Sequence, residues 1–202
     1  KNYFENSNYI NVFAKATYDS YDTKYFPKKG LYFDANYKVF LLSANLNPDF
    51  KSFSQLNGQL SFVHSFFDRL TFHYISEAGI TMGSNGNEVH DYHLGGNNEN
   101  FINTFVSFYG YDIGGLNSTG FLKSSFTIRY QLFKNNFISA TGNYARVSDD
   151  LWNAGKIFEE TKSGYAVGYG LNTFIGPIEL KYSWSPDSRD QDYWYFNLGF
   201  WF

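Results

Sequence analysis

The sequence of 202 residues predicts an all-β fold, an antiparallel transmembrane β-barrel. Apolar and polar residues alternate along most of the chain, as they do where a strand faces lipid on one side and a polar lumen on the other. Aromatic residues make up 22% of the chain, although its mean hydropathy is only −0.40. The last segment is also aromatic at its very end. No apolar run reaches the roughly 18 residues that a membrane-spanning helix needs.

The first half of the chain contains four segments that repeat with the two-residue period of a β-strand. Turns around residues 27–30, 47–49 and 67–69 separate them. Each segment is roughly ten residues long, which is enough for a tilted strand to cross a bilayer. The apolar positions that we expect to face lipid are Ile10, Val12, Ala14, Leu31, Phe33, Ala35, Leu56, Leu60, Phe62, Leu70, Phe72 and Tyr74.

The second half contains five more such segments, after a long Gly- and Asn-rich stretch at 83–120 and on both sides of a second polar loop at 148–162. Within the first stretch, residues 101–111 either add a strand or fold inward. We therefore expect about nine or ten strands in a single barrel domain spanning 1–202. The lipid-facing positions predicted here are Leu122, Phe126, Ile128, Ile138, Ala140, Tyr165, Val167, Tyr169, Ile178, Leu180 and Tyr182.

Charged residues occupy the opposite face of these segments, where we expect a lumen. Such a wall either forms a network of paired charges or lines water and tunes ion selectivity, and we favour the paired network. A soluble β-sandwich or a lipocalin-like barrel would also alternate, but its charges would face outward. The residues predicted to line the lumen are Asp34, Lys38, Lys123, Arg129, Glu179 and Lys181.

The end of the chain distinguishes the membrane barrel from the soluble alternatives. Chain ends are usually frayed and polar, whereas the last strand of a barrel must contact lipid along its length. The pattern resembles the C-terminal signal that the bacterial barrel-assembly machinery recognises. We therefore expect a bacterial outer-membrane location, with that machinery, outer-membrane lipids and lipopolysaccharide as partners. The residues of this predicted assembly signal are Trp194, Phe196, Leu198, Phe200 and Phe202.

Three motifs resemble those of the bacterial surface antigen superfamily. Residues 18–30 contain an acidic strand followed by a Phe-Pro-x-x-Gly turn, and residues 176–184 resemble its Gly-Pro penultimate strand. Residues 164–170 together with 196–202 resemble the barrel of patatin-like phospholipase outer-membrane proteins of Bacteroidetes type. The resemblance implies an upstream patatin-type lipase domain, a POTRA domain and a barrel of sixteen strands. This chain would then be the C-terminal part of that barrel.

One motif departs from the pattern of the superfamily. Its long inward loop carries an Arg-Gly-Tyr type motif, whose arginine reaches into the barrel. The matching residues here are Tyr109, Gly110 and Tyr111, so a tyrosine stands where the arginine would be. The departure argues against insertase or general translocase activity.

The residues of this chain do not predict catalysis. A patatin-type lipase needs a Gly-x-Ser-x-Gly nucleophile elbow, and residues 115–120 have the wrong spacing for one. His64 is the one histidine on the predicted lipid face, but Ser65 falls on the opposite face. His73 and Glu77 share a face about 13 Å apart along the strand, which is too far for an acid–base pair. We expect no enzyme activity here.

No cofactor or nucleic-acid partner is expected either. The net charge of −3 and the lack of a basic run give no electrostatic footprint for nucleic acid. The polar loop before residue 94 matches no rigid pattern of metal ligands. Its candidate ligands are Glu88, His90, Asp91 and His93.

The function expected from these observations is that of a membrane anchor and translocator barrel in a patatin-like surface antigen protein. Two alternatives stay open. One is a small complete barrel that serves as a passive pore or adhesion scaffold, and the other is a barrel enzyme that acts on lipid and uses His64. A homodimer or a larger membrane complex is compatible with each of the three.

Overall fold

The computed structural model describes residues 8–43, 50–83, 90–97, 104–151 and 161–199. Strands dominate these ranges, and they contain no α-helix. Accordingly, no helix in the described part of the chain is long and apolar enough to cross a membrane. The strands are β1 (Tyr9–Asp19), β2 (Lys29–Ser43), β3 (Phe53–Phe66), β4 (Leu70–Met82), β5 (Tyr92–Leu94), β6 (Phe105–Val106), β7 (Leu116–Ser118), β8 (Gly120–Phe133), β9 (Asn136–Val147), β10 (Lys162–Thr173), β11 (Gly176–Ser185) and β12 (Ser188–Leu198).

The nine long strands form one antiparallel sheet in the order β1-β2-β3-β4-β8-β9-β10-β11-β12. Each strand pairs with the next long strand along the chain, so the sheet is a continuous meander. Within the described residues, β1 and β12 are its two edges. The all-β antiparallel fold with about nine long strands is therefore confirmed.

The predicted alternation separates the two faces of this sheet. The strand register brings Phe33, Leu60 and Ser76 into one row, and Asp34, Gln59 and Glu77 into the adjacent row on the other face. The apolar face, here called the outer face, stays exposed: Leu60 is 46% accessible and Trp194 is 68% accessible. A sheet in water would bury such a face against a second layer. An uncovered apolar face of this extent is typical of contact with lipid.

The polar face, here called the inner face, carries the rest of the chain. The three short strands form a second sheet in the order β6-β5-β7, which packs against the inner face. Their apolar residues share a core with two wall residues, Phe121 of β8 and Ala145 of β9. Residues 104–111 therefore fold inward, and the part described as strand, β6, is only two residues long. The alternative that they extend the main sheet is wrong.

The connections group at two ends of the sheet. Turns 67–69, 134–135 and 174–175 and the segment 20–28 lie at one end, here called the turn end. The described residues of the connections 83–119 and 148–161, together with the turn 186–187, lie at the other, here called the loop end. The predicted turn at 27–30 is thus the end of a longer connection. The predicted turn at 47–49 lies outside the described residues.

Candidate functional site on the inner face

The long connection between β4 and β8, here called the inward loop (described residues 90–97 and 104–119), is fastened to the wall at its Tyr-Gly-Tyr motif. The Tyr109 backbone N–H donates to Asn143 Oδ1 at 2.8 Å, and the Asn143 side-chain amide donates to the Gly164 carbonyl at 3.1 Å. The Gly110 N–H donates to Ser183 Oγ at 3.2 Å. Asn143 and Ser183 are almost fully buried, so these bonds are shielded from water and hold the motif against β9, β10 and β11.

Two glycines permit this close approach. Gly110 has φ +84°, and a Cβ there would lie 2.7 Å from the Trp184 carbonyl carbon. At Gly164, a Cβ would lie 2.8 Å from the carbonyl carbon of Tyr109. Real Cβ atoms do not come so near to backbone atoms. In addition, only glycine adopts the positive φ angle of Gly110 freely. The motif therefore docks backbone to backbone on the wall.

The Tyr109 side chain contacts a cation of the wall. Its hydroxyl donates to Asn97 Oδ1 at 2.8 Å and accepts from Lys181 Nζ at 3.0 Å. Lys181 Nζ also lies 3.5 Å from the Glu179 carboxylate. In this chain the positive charge at the docking point belongs to the wall strand β11 and the loop supplies a neutral phenol.

Tyr111 ties the inward loop to the loop end of the wall. Its hydroxyl donates to Asp187 Oδ2 at 2.8 Å and accepts from Ser185 Oγ at 3.2 Å. Burial raises the pKa of Tyr111 to about 12. The Ser163 N–H that donates to Asp187 holds the pKa of this carboxyl below its ordinary value of 3.8. Asp187 therefore acts as a charged hydrogen-bond acceptor for both the loop and the wall.

A second aspartate fastens the other end of the inward loop. Asp149 Oδ1 accepts from Ser118 Oγ at 2.7 Å and from the N–H and hydroxyl of Thr119, each at 2.9 Å. These three donors lower the pKa of Asp149. The connections at the loop end thus hold the inward loop on both sides.

The structure places all six residues predicted to line the lumen on the inner face. Lys123, which is 4% accessible, forms an ion pair with Glu77. Asp34 accepts from Lys15 Nζ at 3.1 Å and from Thr17 Oγ1 at 2.8 Å. The Glu179–Lys181 pair has been described above, Lys38 Nζ lies 5.8 Å from the Phe40 ring centroid, and Arg129 donates to the Pro27 carbonyl. Most of the charges are engaged within the protein, as expected for a paired network.

The predicted C-terminal assembly signal is partly described. Trp194, Phe196 and Leu198 lie on the outer face and are each more than half exposed. Phe200 and Phe202 lie outside the described residues. The role of this strand in assembly is a proposal that its exposed apolar face supports.

Sequence reasoning missed a serine–histidine contact. Ser61 Oγ lies 2.8 Å from His73 Nε2, and the Tyr21 hydroxyl contacts both side chains. Glu77, which shares a strand face with His73, bonds to Lys123. Ser61 is 0% accessible beneath Tyr21, so no substrate reaches it in this conformation. No sequence signal marks the contact, because it depends on the register of β3 against β4.

Two other histidines considered as candidates for catalysis or metal binding, His64 and His90, pack against aromatic rings. His64 lies on the outer face beside the Phe66 ring, with centroids 4.6 Å apart. His90 packs among aromatic rings, the nearest being that of Phe53 at 4.6 Å. Among the described residues, no three His, Cys, Asp or Glu side chains are grouped to hold a metal ion. Glu88 lies outside that part of the chain.

Comparisons with known proteins agree with this architecture. A structural comparison finds the crystal structure of BamA from Haemophilus ducreyi lacking POTRA domains 1-3, with a TM-score of 0.69 and 14% sequence identity. The match covers 92% of this chain and 40% of the BamA chain, so this chain spans well under half of that protein. A search of curated proteins finds no match. The family model described as OMP85 superfamily matches residues 1–202, and the chain therefore belongs to the OMP85 superfamily.

Proposed function

We propose that this chain is the C-terminal part of an outer-membrane barrel that anchors a patatin-like surface antigen protein and serves as its translocator. The observation that carries the proposal is the division between the two faces of one continuous sheet. The outer face is apolar and uncovered, and the inner face is polar and holds the inward loop. Membership in the OMP85 superfamily supports the same placement.

Anchoring follows from the outer face. Its exposed side chains continue across all nine long strands, from Val12 on β1 to Phe196 on β12. A lipid environment is one in which exposing such an apolar surface costs little free energy. Outer-membrane lipids and lipopolysaccharide are accordingly the proposed contacts of this face. The barrel-assembly machinery is the proposed partner during biogenesis, on the strength of the apolar pattern of β12.

A translocator dedicated to one protein is favoured over a general insertase. The docking point of the inward loop lacks the arginine of the superfamily motif and uses Tyr109 against Lys181 instead. The patatin-like assignment rests on the sequence resemblance of residues 164–170 and 196–202. Catalysis is not proposed for this chain, and any lipase site lies in the upstream region.

The intact mass of the native protein, extracted from outer membranes with detergent, tests the proposal. We expect a mass far above the 23.4 kDa of this chain, together with esterase activity that survives His64→Ala. A mass equal to that of the chain would contradict it and favour a small complete barrel acting as a pore or scaffold. Loss of the activity in His64→Ala would favour a barrel enzyme that acts on lipid.

A further inference from the structure

The connection between β1 and β2, here called the strap (residues 20–28), lies across the inner face instead of turning back at the membrane edge. Asp22 Oδ1 accepts from the backbone N–H groups of Lys28 and Lys29, at 2.9 and 3.3 Å, and closes the base of the strap. Phe26 adopts φ +50°, a left-handed conformation that bulky residues avoid unless surrounding contacts hold them there. The strap is therefore held in place by what it touches.

One end of the strap is attached to β3 and β4. The Tyr21 hydroxyl contacts Ser61 Oγ and lies 3.4 Å from His73 Nε2. This contact covers Ser61, which is 0% accessible although it faces the interior of the proposed barrel. Ser61 thus reports whether the strap is in place.

The other end is attached to β8, β9 and β10. The Phe26 ring stacks on Phe137, with centroids 4.7 Å apart and planes at 23°. It also lies over Gly170, where a Cβ would be 2.8 Å from the ring. Lys28 Nζ donates to Gln131 Oε1 at 2.9 Å. The strap therefore spans the inner face from β3 to β10.

Arg129 is the central attachment of this second end. Its guanidinium donates to the Pro27 carbonyl and lies 5.5 and 5.6 Å from the ring centroids of Phe26 and Phe137. The residue is only 7% accessible and has no carboxylate within ion-pair distance in the described part of the chain. Its Nε has no hydrogen-bond partner there. A buried cation held by one main-chain carbonyl and two ring faces, with no carboxylate in ion-pair contact in the described part of the chain, is an expensive arrangement for stability alone.

The strap and the inward loop cover one cavity from opposite ends. The cavity has a volume of about 490 Å³, and its lining includes Tyr25 and Phe26 of the strap and Phe105 and Tyr109 of the inward loop. The two covers differ in how firmly they are held. The inward loop has a sheet of its own and shares a hydrophobic core with the wall. The described residues of the strap form no sheet of their own and belong to no such core.

We propose that the strap is a displaceable closure of the turn end of the barrel interior, with the bond from Arg129 to the Pro27 carbonyl as its latch. Release of that bond frees Phe26 and Pro27 from the wall, and Tyr21 then lifts from Ser61. The long strands stay paired throughout, because the contacts that are released, those of Tyr21, Phe26 and Pro27, lie outside their ladder. Ser20 and Asp22 keep their backbone bonds to Leu31 and Lys29 of β2. The proposal goes beyond the anchoring function, since it names the element that must move before anything passes through.

Accessibility of a cysteine at position 61 tests the latch. This chain has no cysteine of its own, so Ser61→Cys provides one defined thiol under the strap. The full-length protein, with any other cysteines replaced, is reconstituted in phospholipid vesicles and labelled with a small water-soluble methanethiosulfonate. The labelling rate follows the population of the open form when closing is fast. We expect Arg129→Gln to raise the rate about tenfold or more, as for loss of a hydrogen bond to a charged group.

Two further variants make the result decisive. Phe26→Ala removes the stacked ring while leaving the bond from Arg129 to the Pro27 carbonyl in place, and it is expected to raise the labelling rate as well. Arg69→Gln removes an exposed arginine in a turn at the same end and is expected to leave the rate unchanged. Correct folding of each variant is checked by its shift in gel mobility on heating. Equal labelling rates in folded Arg129→Gln, folded Phe26→Ala and the parent would overturn the proposal, as would faster labelling in Arg69→Gln.

Discussion

At the scale of single residues, the docking of the inward loop rests on polar side chains that find partners far along the chain. Asn143 uses both ends of its amide, accepting from Tyr109 and donating to Gly164. Lys181 donates to the Tyr109 hydroxyl at 3.0 Å, so the cation at this contact belongs to the wall. Such buried, fully used groups specify one arrangement, because any shift of the loop would leave a donor or an acceptor without a partner.

Asp187 gives this docking a dependence on pH. Because its pKa in the folded protein lies below the ordinary value of 3.8, the carboxylate stabilises the fold above that pH. The contribution is lost as the pH falls through the lowered folded value. We expect the denaturant midpoint of the parent protein to fall relative to that of Asp187→Asn below about pH 4. Midpoints measured in detergent from pH 3 to pH 7 provide the check.

A matched variant separates this effect from the loss of one charge at the loop end. Asp150→Asn removes another exposed carboxylate there. A midpoint difference between the parent and Asp187→Asn that stays constant over the whole pH range would contradict the prediction. The same pH profile for Asp150→Asn and Asp187→Asn would also contradict it.

At the scale of elements, β10 is the strand whose inner face lies beneath both the inward loop and the strap. Gly164, Ala166, Gly168 and Gly170 alternate on that face. The Tyr109 backbone lies over the first of them and the Phe26 ring lies over the last. One strand therefore receives the inward loop near the loop end and the strap near the turn end. Because no side chain larger than the Ala166 methyl group stands at these four positions, both segments can lie close to the strand.

Gly164→Ala tests this role of β10. The added Cβ would meet the Tyr109 carbonyl, so we expect the inward loop to shift and stability to fall by about 1–3 kcal/mol, as for other overpacked positions. Gly142→Ala on β9 is the matched control, because its Cβ would meet the Tyr165 ring at an ordinary 3.5 Å. Urea unfolding together with protease cleavage of the inward loop measures both effects. Equal losses in the two variants would argue against a special role for Gly164.

At the scale of the whole molecule, the arrangement is the reverse of that in a soluble sheet protein. The apolar side chains face outward from every long strand, while the polar face is filled by the inward loop and the strap. The apolar core lies between that loop and the wall. Stability in such a protein depends on a bilayer that covers the outer face and on polar contacts that fill the interior.

Two neighbouring substitutions on β3 test the assignment of the faces. Leu60→Arg places a cation on the outer face, where we expect a loss of about 2–4 kcal/mol near the bilayer midplane. Gln59→Arg places it on the inner face, in register with Asp34 and Glu77, and a change within about 0.5 kcal/mol is expected. Urea unfolding from phospholipid vesicles measures both. A larger loss for Gln59→Arg would mean that the two faces are assigned the wrong way round.

The sequence by itself determined the strands and the faces of this protein. A period of two residues assigns each side chain to a face without any knowledge of its neighbours, so Leu60 and Lys123 could be placed outside and inside. The turn residues and the segment lengths predicted about nine or ten strands, and the main sheet of the described residues has nine. The superfamily could be recognised because its motifs are short and local in the chain.

Only the tertiary structure decided which residues meet on the inner face. Alternation places Lys181 on the inner face, but its contact with Tyr109 depends on where a long loop comes to rest across 72 positions of sequence. The register of β3 against β4 likewise brings Ser61 to His73. The strap crosses to Arg129 because Gly170 leaves room for the Phe26 ring. These contacts are non-local, and their energies depend on shape and burial, which no local pattern encodes.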